Sequence, residues 1–317
     1  MSIVLTEDAT VLAETVVVGY GTMKKTDVTG AMVRVDSEQL TTRPTNNVLE
    51  AMQGKAAGVD IRTNERPGEV GSVFIRGQRS INASSSPLYV VDGIPMQSGA
   101  LEAFNPNDIE SIDILKDASA TAIYGSRGAN GVVLVTTKKG TKDKMTISYN
   151  GSLTVEDLVS KTQWMNSDQY ITWRRYARYY SDPKSYASPK APTYANDYNI
   201  FNGGSDPYAW RNIEKGWSSD HSTWTGGVPT TDWFGLILKT SVTQEHTVSA
   251  SGGTDKMQSY LSFGYLNNQG TIKGQGFERY TIKANNDFKP YKWIAFGANL
   301  TTTYSIQNYG LSGAGNF

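Results

Sequence analysis

From residue 144 onward, apolar and small polar residues alternate with a period of two. Ile147, Tyr149, Leu153 and Val155 fall on one side of an extended chain, and Thr146, Ser148, Asn150, Ser152 and Thr154 on the other. The alternation returns over residues 245–251, 257–266, 277–288 and 293–304. In the last of these, Ile294, Phe296, Ala298, Leu300 and Tyr304 share one face, and Ala295, Gly297, Asn299, Thr301 and Thr303 the other. Successive side chains of a strand point to opposite sides, so each segment predicts a two-faced strand. Strands of about ten residues with one apolar and one polar face are the pattern of a transmembrane β-barrel. A soluble sandwich alternates as well, and the pattern alone leaves both open.

The connections differ in length. Gly252-Gly253-Thr254-Asp255 and Lys289-Pro290-Tyr291 read as tight turns, residues 267–276 as an intermediate loop, and residues 156–240 as a very long one. Short turns alternating with longer loops match the periplasmic and extracellular ends of a barrel. On that count the first strand runs outward and the long connection lies outside the cell.

Before residue 144 the elements are shorter. Short strands are predicted at Met32–Val35, Val59–Arg62, Ser72–Arg76, Pro87–Val91, Ile109–Leu115 and Val132–Thr137. A helix is predicted over residues 46–53, with Val48, Leu49 and Met52 on one face and Thr45 as its cap. Residues 118–124 favour one or two helical turns, and Asp92-Gly93 signals a hairpin turn. Thr22–Gly30 is polar and is expected to be mobile. Such a mixture makes a small α+β domain.

Composition narrows the chemistry. Net charge is zero, so nothing draws the chain as a whole to nucleic acid or anionic lipid. There is no cysteine, which excludes a thiolate nucleophile, a disulfide framework and a thiolate metal site. No apolar run approaches the roughly 20 residues of a spanning helix, and mean hydropathy is negative. A half-apolar barrel gives that same reading. The N-terminal residues have no basic and apolar leader pattern.

No catalytic motif emerges. The Gly-Tyr-Gly at 19–21 and the glycines of residues 125–131 fit neither GxGxxG nor a phosphate-binding loop. Asp92 and Asp117 have no evident histidine partner. His221 and His246 lack ligand spacing, so neither a metal nor a cofactor is expected. The long connection holds Trp164, Trp173, Trp210, Trp217, Trp224 and Trp233 with interleaved tyrosines. These rings can stack on sugars, meet a partner, or form a core of their own around a helix at Ser167–Tyr180.

Four stretches then carry a resemblance: ETVVVGYGTMKK, FIRGQRS, PLYVVDGIP and DIESIDILKDASATAIYGSRGANGVVLVTTKKG, in that order. Together they closely resemble the plug region of the SusC/RagA family of TonB-dependent outer-membrane transporters. TDWFGLILKT, HTVSASGGTDKMQSYLSFGYL and GFERYTIKANNDF resemble the family's early barrel more loosely.

The resemblance implies an α+β plug domain followed by the first antiparallel strands of a large barrel, incomplete in this chain. It divides the chain into a remnant of a preceding β domain (residues 1–13), a TonB box and linker (14–30), the plug (31–141), and barrel strands and loops (142–317). Glu14-Thr15-Val16-Val17-Val18-Gly19-Tyr20-Gly21 then matches the TonB box, which adds a strand to a periplasmic partner. An ordinary strand is the other reading of that segment. Arg76, Gly77, Asp92, Gly93, Lys116, Asp117, Tyr124, Gly125, Arg127 and Gly128 fall at positions typical of the family. The charges among them are expected to pair within the plug and against the barrel wall, with solvated surface charge as the alternative.

The implied function is energy-coupled import of an oligosaccharide or peptide across the outer membrane, with no chemistry done on it. The implied partners are TonB, a SusD-like surface lipoprotein and the nutrient. Trp164, Trp173, Trp210, Trp217 and Trp224 are candidate ligand or partner contacts. Five strands cannot close a barrel that needs roughly 22, so the chain is expected to be part of a longer one. The alternatives are a siderophore or cobalamin receptor of the wider group, and a non-transporting remnant or soluble binding fragment.

Overall fold

The structure is a computed structural model. It describes residues 15–18, 21–24 and 32–310, except 44, 46, 65, 70, 79, 81–83, 97–99, 143 and 160–162. The chain forms two compact units, Met1–Asp157 with Lys239–Phe317, and Leu158–Leu238.

The first unit opens with β1 (Thr15–Val18) and β2 (Gly21–Lys24), paired antiparallel from Thr15 opposite Lys24 to Val18 opposite Gly21. Thr22–Lys24, within the segment expected to be mobile, carry a strand ladder. Glu14, Gly19, Tyr20, residues 1–13 and residues 25–31 lie outside the described residues.

A small α+β domain follows. Its elements are β3 (Met32–Asp36), α1 (Ser37–Leu40), α2 (Val48–Met52), β4 (Val59–Arg62), β5 (Ser72–Ile75), β6 (Leu88–Val91), β7 (Ile94–Met96), β8 (Ile109–Leu115), α3 (Ala118–Thr121) and β9 (Val132–Thr137). The sheet order is β3-β8-β9-β6-β7, and only β6 and β9 run parallel. That pair is buried on both faces, which explains its unbroken apolar sequence. Tyr89, Val91, Val133 and Val135 enter the larger core with Ile112 and Ile114 and with Leu49 and Met52 of α2. Leu88, Val90, Val132 and Leu134 enter a second core behind the sheet. Asn47 rather than Thr45 caps α2, its side chain accepting from Leu49 N at 2.9 Å. Gly131 precedes β9 at φ 93°; a Cβ there would meet Ile75 Cδ1 at 2.6 Å.

The chain then enters a five-stranded antiparallel meander: β10 (Thr146–Glu156), β11 (Ser241–Gly253), β12 (Met257–Gln269), β13 (Gln275–Tyr291) and β14 (Ile294–Tyr309). Among the described residues this sheet is open, with β10 and β14 as edges. The strands outrun the predicted ones. The intermediate loop shrinks to residues 270–274, and the last turn moves to Lys292-Trp293. Pro290 lies within β13 at a register shift between Phe288 and Tyr291. There no regular ladder donor is required, so proline is tolerated.

One face of the meander is apolar and exposed: Leu261, Phe263, Ile282, Phe296 and Leu300 all point away from the small domain. The other face packs against that domain, and Thr243, Thr247, Ser262, Arg279, Lys283 and Asn285 are buried there. On the exposed face one row of rings crosses every strand. Tyr149 stacks on His246 with ring centroids 6.1 Å apart, His246 on Tyr265 at 6.4 Å and Tyr280 on Tyr304 at 6.4 Å, while Tyr265 meets Tyr280 at 5.1 Å with the rings tilted by 40°. Gly151 lies opposite His246, and a Cβ on it would strike the Tyr149 hydroxyl. The missing side chain lets Tyr149 lie across to the histidine.

The second unit is helical: α4 (Ser167–Ser181), α5 (Tyr194–Ile200), α6 (Pro207–Glu214) and α7 (Trp233–Ile237). Asn166 and Gln169 form a reciprocal cap on α4. At its centre Arg175 grips Asp197 through two hydrogen bonds, 2.9 and 2.5 Å long. The Trp217 indole donates to the same carboxylate at 3.1 Å, and Trp224 lies under the guanidinium at 4.1 Å.

Candidate functional site

The small domain and the inner face of the strand wall meet along a seam of side-chain hydrogen bonds. Its construction starts at the turn between β6 and β7. A two-residue hairpin of type I′ needs positive φ at both turn positions, which Asp and Gly accept readily; Asp92 and Gly93 have φ 48° and 85°. The turn is tied back by Asp92 N donating to Val135 O at 2.9 Å.

This places the Asp92 carboxylate at the wall. Oδ1 accepts from Thr137 N at 2.9 Å, and Oδ2 accepts from Thr137 Oγ1 and Asn299 Nδ2, each at 2.6 Å. Lys283 Nζ lies 3.8 Å away, within a side chain only 1% exposed. It also reaches Thr301 Oγ1 at 3.4 Å. A buried lysine without compensation is costly, and here a carboxylate, a hydroxyl and the face of Phe104 at 6.0 Å surround it. Asn285 joins the two bodies by donating to Lys138 O at 2.7 Å.

A second cluster lies on the 3₁₀ turn Pro106–Asp108. Asn105 caps that turn by accepting from Asn107 N at 2.9 Å, and donates to Thr247 Oγ1 of β11 at 2.8 Å. Asn107 Nδ2 donates to Glu245 Oε1 at 3.2 Å. Tyr260 of β12 donates its hydroxyl to Asp108 Oδ1 at 2.9 Å. Farther along β14, Thr303 Oγ1 donates to Ala103 O at 2.7 Å and Gln307 Nε2 to Pro67 O at 3.1 Å. The hydrogen bonds of the seam are made by amide, hydroxyl and charged groups, and the buried Phe277 ring of β13 packs beside them on Gly68 of the small domain. Such hydrogen bonds hold a body in place and can be exchanged for water at small net cost.

The residues singled out by sequence divide between the seam and the domain interior. Of the charges, Asp92 reaches the wall. Arg76 (φ 60°) pairs with Asp117, the N-cap residue of α3, and Lys116 donates to Ala57 O. These three staple the β5 end to the β8 end within the domain. Gly77 and Gly125 have φ 85° and 58°. Tyr124 packs against the second core, Gly128 is close-packed on Thr121, and Arg127 is exposed. Thr15–Val18 and Gly21 lie in the β1–β2 hairpin.

In the helical unit, Trp210 and Trp217 are buried and Trp224 carries Arg175 on its face. Those three rings pack into the unit's own core, the last of the three uses the sequence left open for them. Trp164 and Trp173 remain exposed, at 69% and 51%.

Sequence reasoning missed Asn105, Asn107, Tyr260, Lys283 and Asn285. The usable signal was Lys283 and Arg279 standing on the inward face of β13 together with Thr281 and Asn285.

Titration outside the strand wall reflects local packing. Burial pushes the Tyr89 hydroxyl up, and burial raises Glu50 against the opposing pull of Arg43. Asp220 is held down at about 2 by hydrogen bonds from Ser218 and Ser222.

Comparison with known proteins matches this arrangement. The family model of the TonB-dependent Receptor Plug Domain covers residues 24–132. TonB-dependent receptor P26 of Formosa agariphila is 36% identical over 310 residues, 96% of this chain and 28% of that protein. TonB-dependent receptor SusC of Bacteroides thetaiotaomicron is 33% identical over 294 residues, 90% of this chain and 25% of that protein. The solved RagAB peptide importer, in its open-open state, superimposes with a TM-score of 0.74 at 29% identity. That match covers 93% of this chain and 32% of that one. The chain thus spans about a quarter of the length of the curated relatives it matches.

Proposed function

The chain belongs to the SusC-like TonB-dependent receptors, and from that premise we propose that its receptor imports a large polar nutrient, glycan or peptide, across the outer membrane. The small domain is the plug and the meander is part of the barrel wall. The exposed apolar face meets lipid. On β11, β12 and β13 its ring row lies between outward Val248, Phe263 and Ile282 and outward Gln244, Asn267 and Glu278, as an aromatic belt at the bilayer edge would, while Leu153 of β10 and Ile306 of β14 continue the apolar face past it.

TonB engages the Glu14–Gly21 segment, and a SusD-like lipoprotein covers the outer end. RagAB is a peptide importer, and similarity at the SusC level across 90% of the chain favours this branch over siderophore or cobalamin uptake. The nutrient is moved, and none of its bonds is broken.

The observation that carries the reading is the polar seam. A plug that must shift under load is poorly served by a broad apolar interface, and the hydrogen bonds that hold this one run between amides, hydroxyls and carboxylates, with Lys283 buried beside Asp92. The test uses the absence of cysteine. Cysteines replacing Asp92 and Asn299, joined by a short reducible cross-link, should abolish nutrient import while surface binding persists. Reduction should restore import. Normal import with the cross-link complete would refute the moving seam.

A further inference from the structure

Strands β1 and β2 form a ribbon of their own. Thr15, Val16, Val17 and Val18 stand opposite Lys24, Met23, Thr22 and Gly21, so two residues join the strands. Among the described residues no third strand pairs with either outer edge of this ribbon.

Opposed pairs of an antiparallel ladder alternate. One pair exchanges both backbone hydrogen bonds, and the next turns its N–H and C=O groups away from the partner strand. A two-residue connection makes the pair that closes it, Val18 and Gly21, an exchanging one. The alternation then fixes the rest. Val16 and Met23 exchange bonds inside the ribbon. Thr15 and Val17 of β1, and Thr22 and Lys24 of β2, present their backbone groups outward.

The segment that resembles a TonB box is thus divided by parity: the backbones of Val16 and Val18 are engaged by β2, and those of Thr15 and Val17 are open. An open strand edge is a template for another strand. The two outer edges are unlike. β1 is Thr-Val-Val-Val, β-branched throughout, and such residues favour an extended backbone. β2 is Gly-Thr-Met-Lys, and Lys25 follows. Glycine weakens a strand, and lysine is a residue that blunts edges against pairing.

We propose that the periplasmic partner adds its strand to the outer edge of β1 while β2 stays in place, so that the recognised unit is the ribbon and not a lone strand. Thr15 and Val17 carry the main-chain contacts, and β2 acts as a splint. A strand held extended beforehand has less backbone entropy to lose when it is joined. The proposal rests on the reading that TonB engages residues 14–21.

The test is the affinity of the purified periplasmic domain of TonB for the intact, detergent-solubilised receptor, with proline introduced at one position at a time. Proline removes a single backbone donor and is tolerated in an edge strand where that donor faces outward. Val17→Pro should weaken binding about tenfold, because it deletes a donor to the partner. Val16→Pro takes a donor from the ribbon alone and should weaken binding by less, about two- to fivefold, since an isolated ribbon is a marginal splint. Thr22→Pro, on the outer edge of β2, should leave the affinity unchanged.

A larger loss in Val16→Pro than in Val17→Pro would mean that the partner displaces β2. A loss in Thr22→Pro as large as that in Val17→Pro would put the partner on the other edge. Equal losses in Val16→Pro and Val17→Pro would mean a lone strand with no preferred edge. Each of these overturns the ribbon proposal and leaves TonB engagement of the segment standing. An unsubstituted receptor that binds no TonB refutes that engagement, and the ribbon proposal with it.

Discussion

In the plug, β9 sends Val133 and Val135 to one side and Val132 and Leu134 to the other, and all four are buried. In the wall, β12 sends Tyr260 and Ser262 inward, where they are buried, and Leu261 and Phe263 outward, where about half of each is exposed. Both strands obey the same period of two. They differ in what each face meets. The plug strand has protein on both sides, so both sides are apolar. The wall strand has a polar lumen on one side and lipid on the other, so its apolar residues are the exposed ones. The apolar side chain is therefore not the inside side chain: it marks the face without water, whichever way that face looks.

The sharpest way to break this comparison is to truncate one apolar residue on each sheet. Ile112 is fully buried in the plug, and Ile112→Ala should cost about 2–5 kcal/mol of plug stability through lost transfer energy and a residual cavity. Leu261→Ala, on the outward face of β12, should cost well under that in lipid, because the methyl groups lost there are replaced by acyl chain. Denaturant unfolding of the receptor in bilayers, read separately by protease protection of plug and wall, measures both. Equal losses would mean that Leu261 faces protein.

Adjacent residues of β11 sharpen it further. Ala250 points to lipid and Ser249 inward, to a hollow of about 510 Å³ that Glu110 also lines. Ala250→Arg should destabilise the wall by about 2–4 kcal/mol near the bilayer midplane. Ser249→Arg should have a much smaller effect, since its cation enters a polar hollow holding a carboxylate. Comparable effects from the two would remove the assignment of faces.

The same comparison explains what could be read from sequence. β4, β8 and β9 fall at their predicted residues, and all five wall strands at their predicted places, because each has a clear alternation or an unbroken apolar run. Boundaries failed where local chemistry offered two choices. Thr45 and Asn47 both suit a cap, and Asn47 won because its side chain reaches Leu49 N. Lys289-Pro290-Tyr291 looked like a turn, yet the register shift lets proline stay in the strand. The seam was largely hidden. Asn299 could be placed inward, but its partner Asp92 is 207 residues away, and nothing local pairs them. The helical unit was hidden for the same reason: Arg175 and Asp197 stand on different helices, and their pairing decides which tryptophans are free.

The smallest expected effect concerns a charge inside the plug. Glu50 lies on α2 beside the larger core, 3.2 Å from Arg43, and burial raises its pKa despite that cation. A carboxyl whose folded pKa is raised binds its proton more readily folded than unfolded. Stability is thus fullest below the ordinary glutamate value and falls as pH rises from there through the raised value, after which it is level. This is the reverse of a carboxylate held by hydrogen bonds, such as Asp220, whose contribution is lost only as pH falls toward about 2. Glu50→Gln should remove the mildly acidic slope and leave the plug slightly more stable at neutral pH. Thermal unfolding across that range, with and without the substitution, measures it. A plug destabilised by Glu50→Gln at neutral pH would mean that the ion pair with Arg43 outweighs burial, and that the plug, like the seam, gains from its charges.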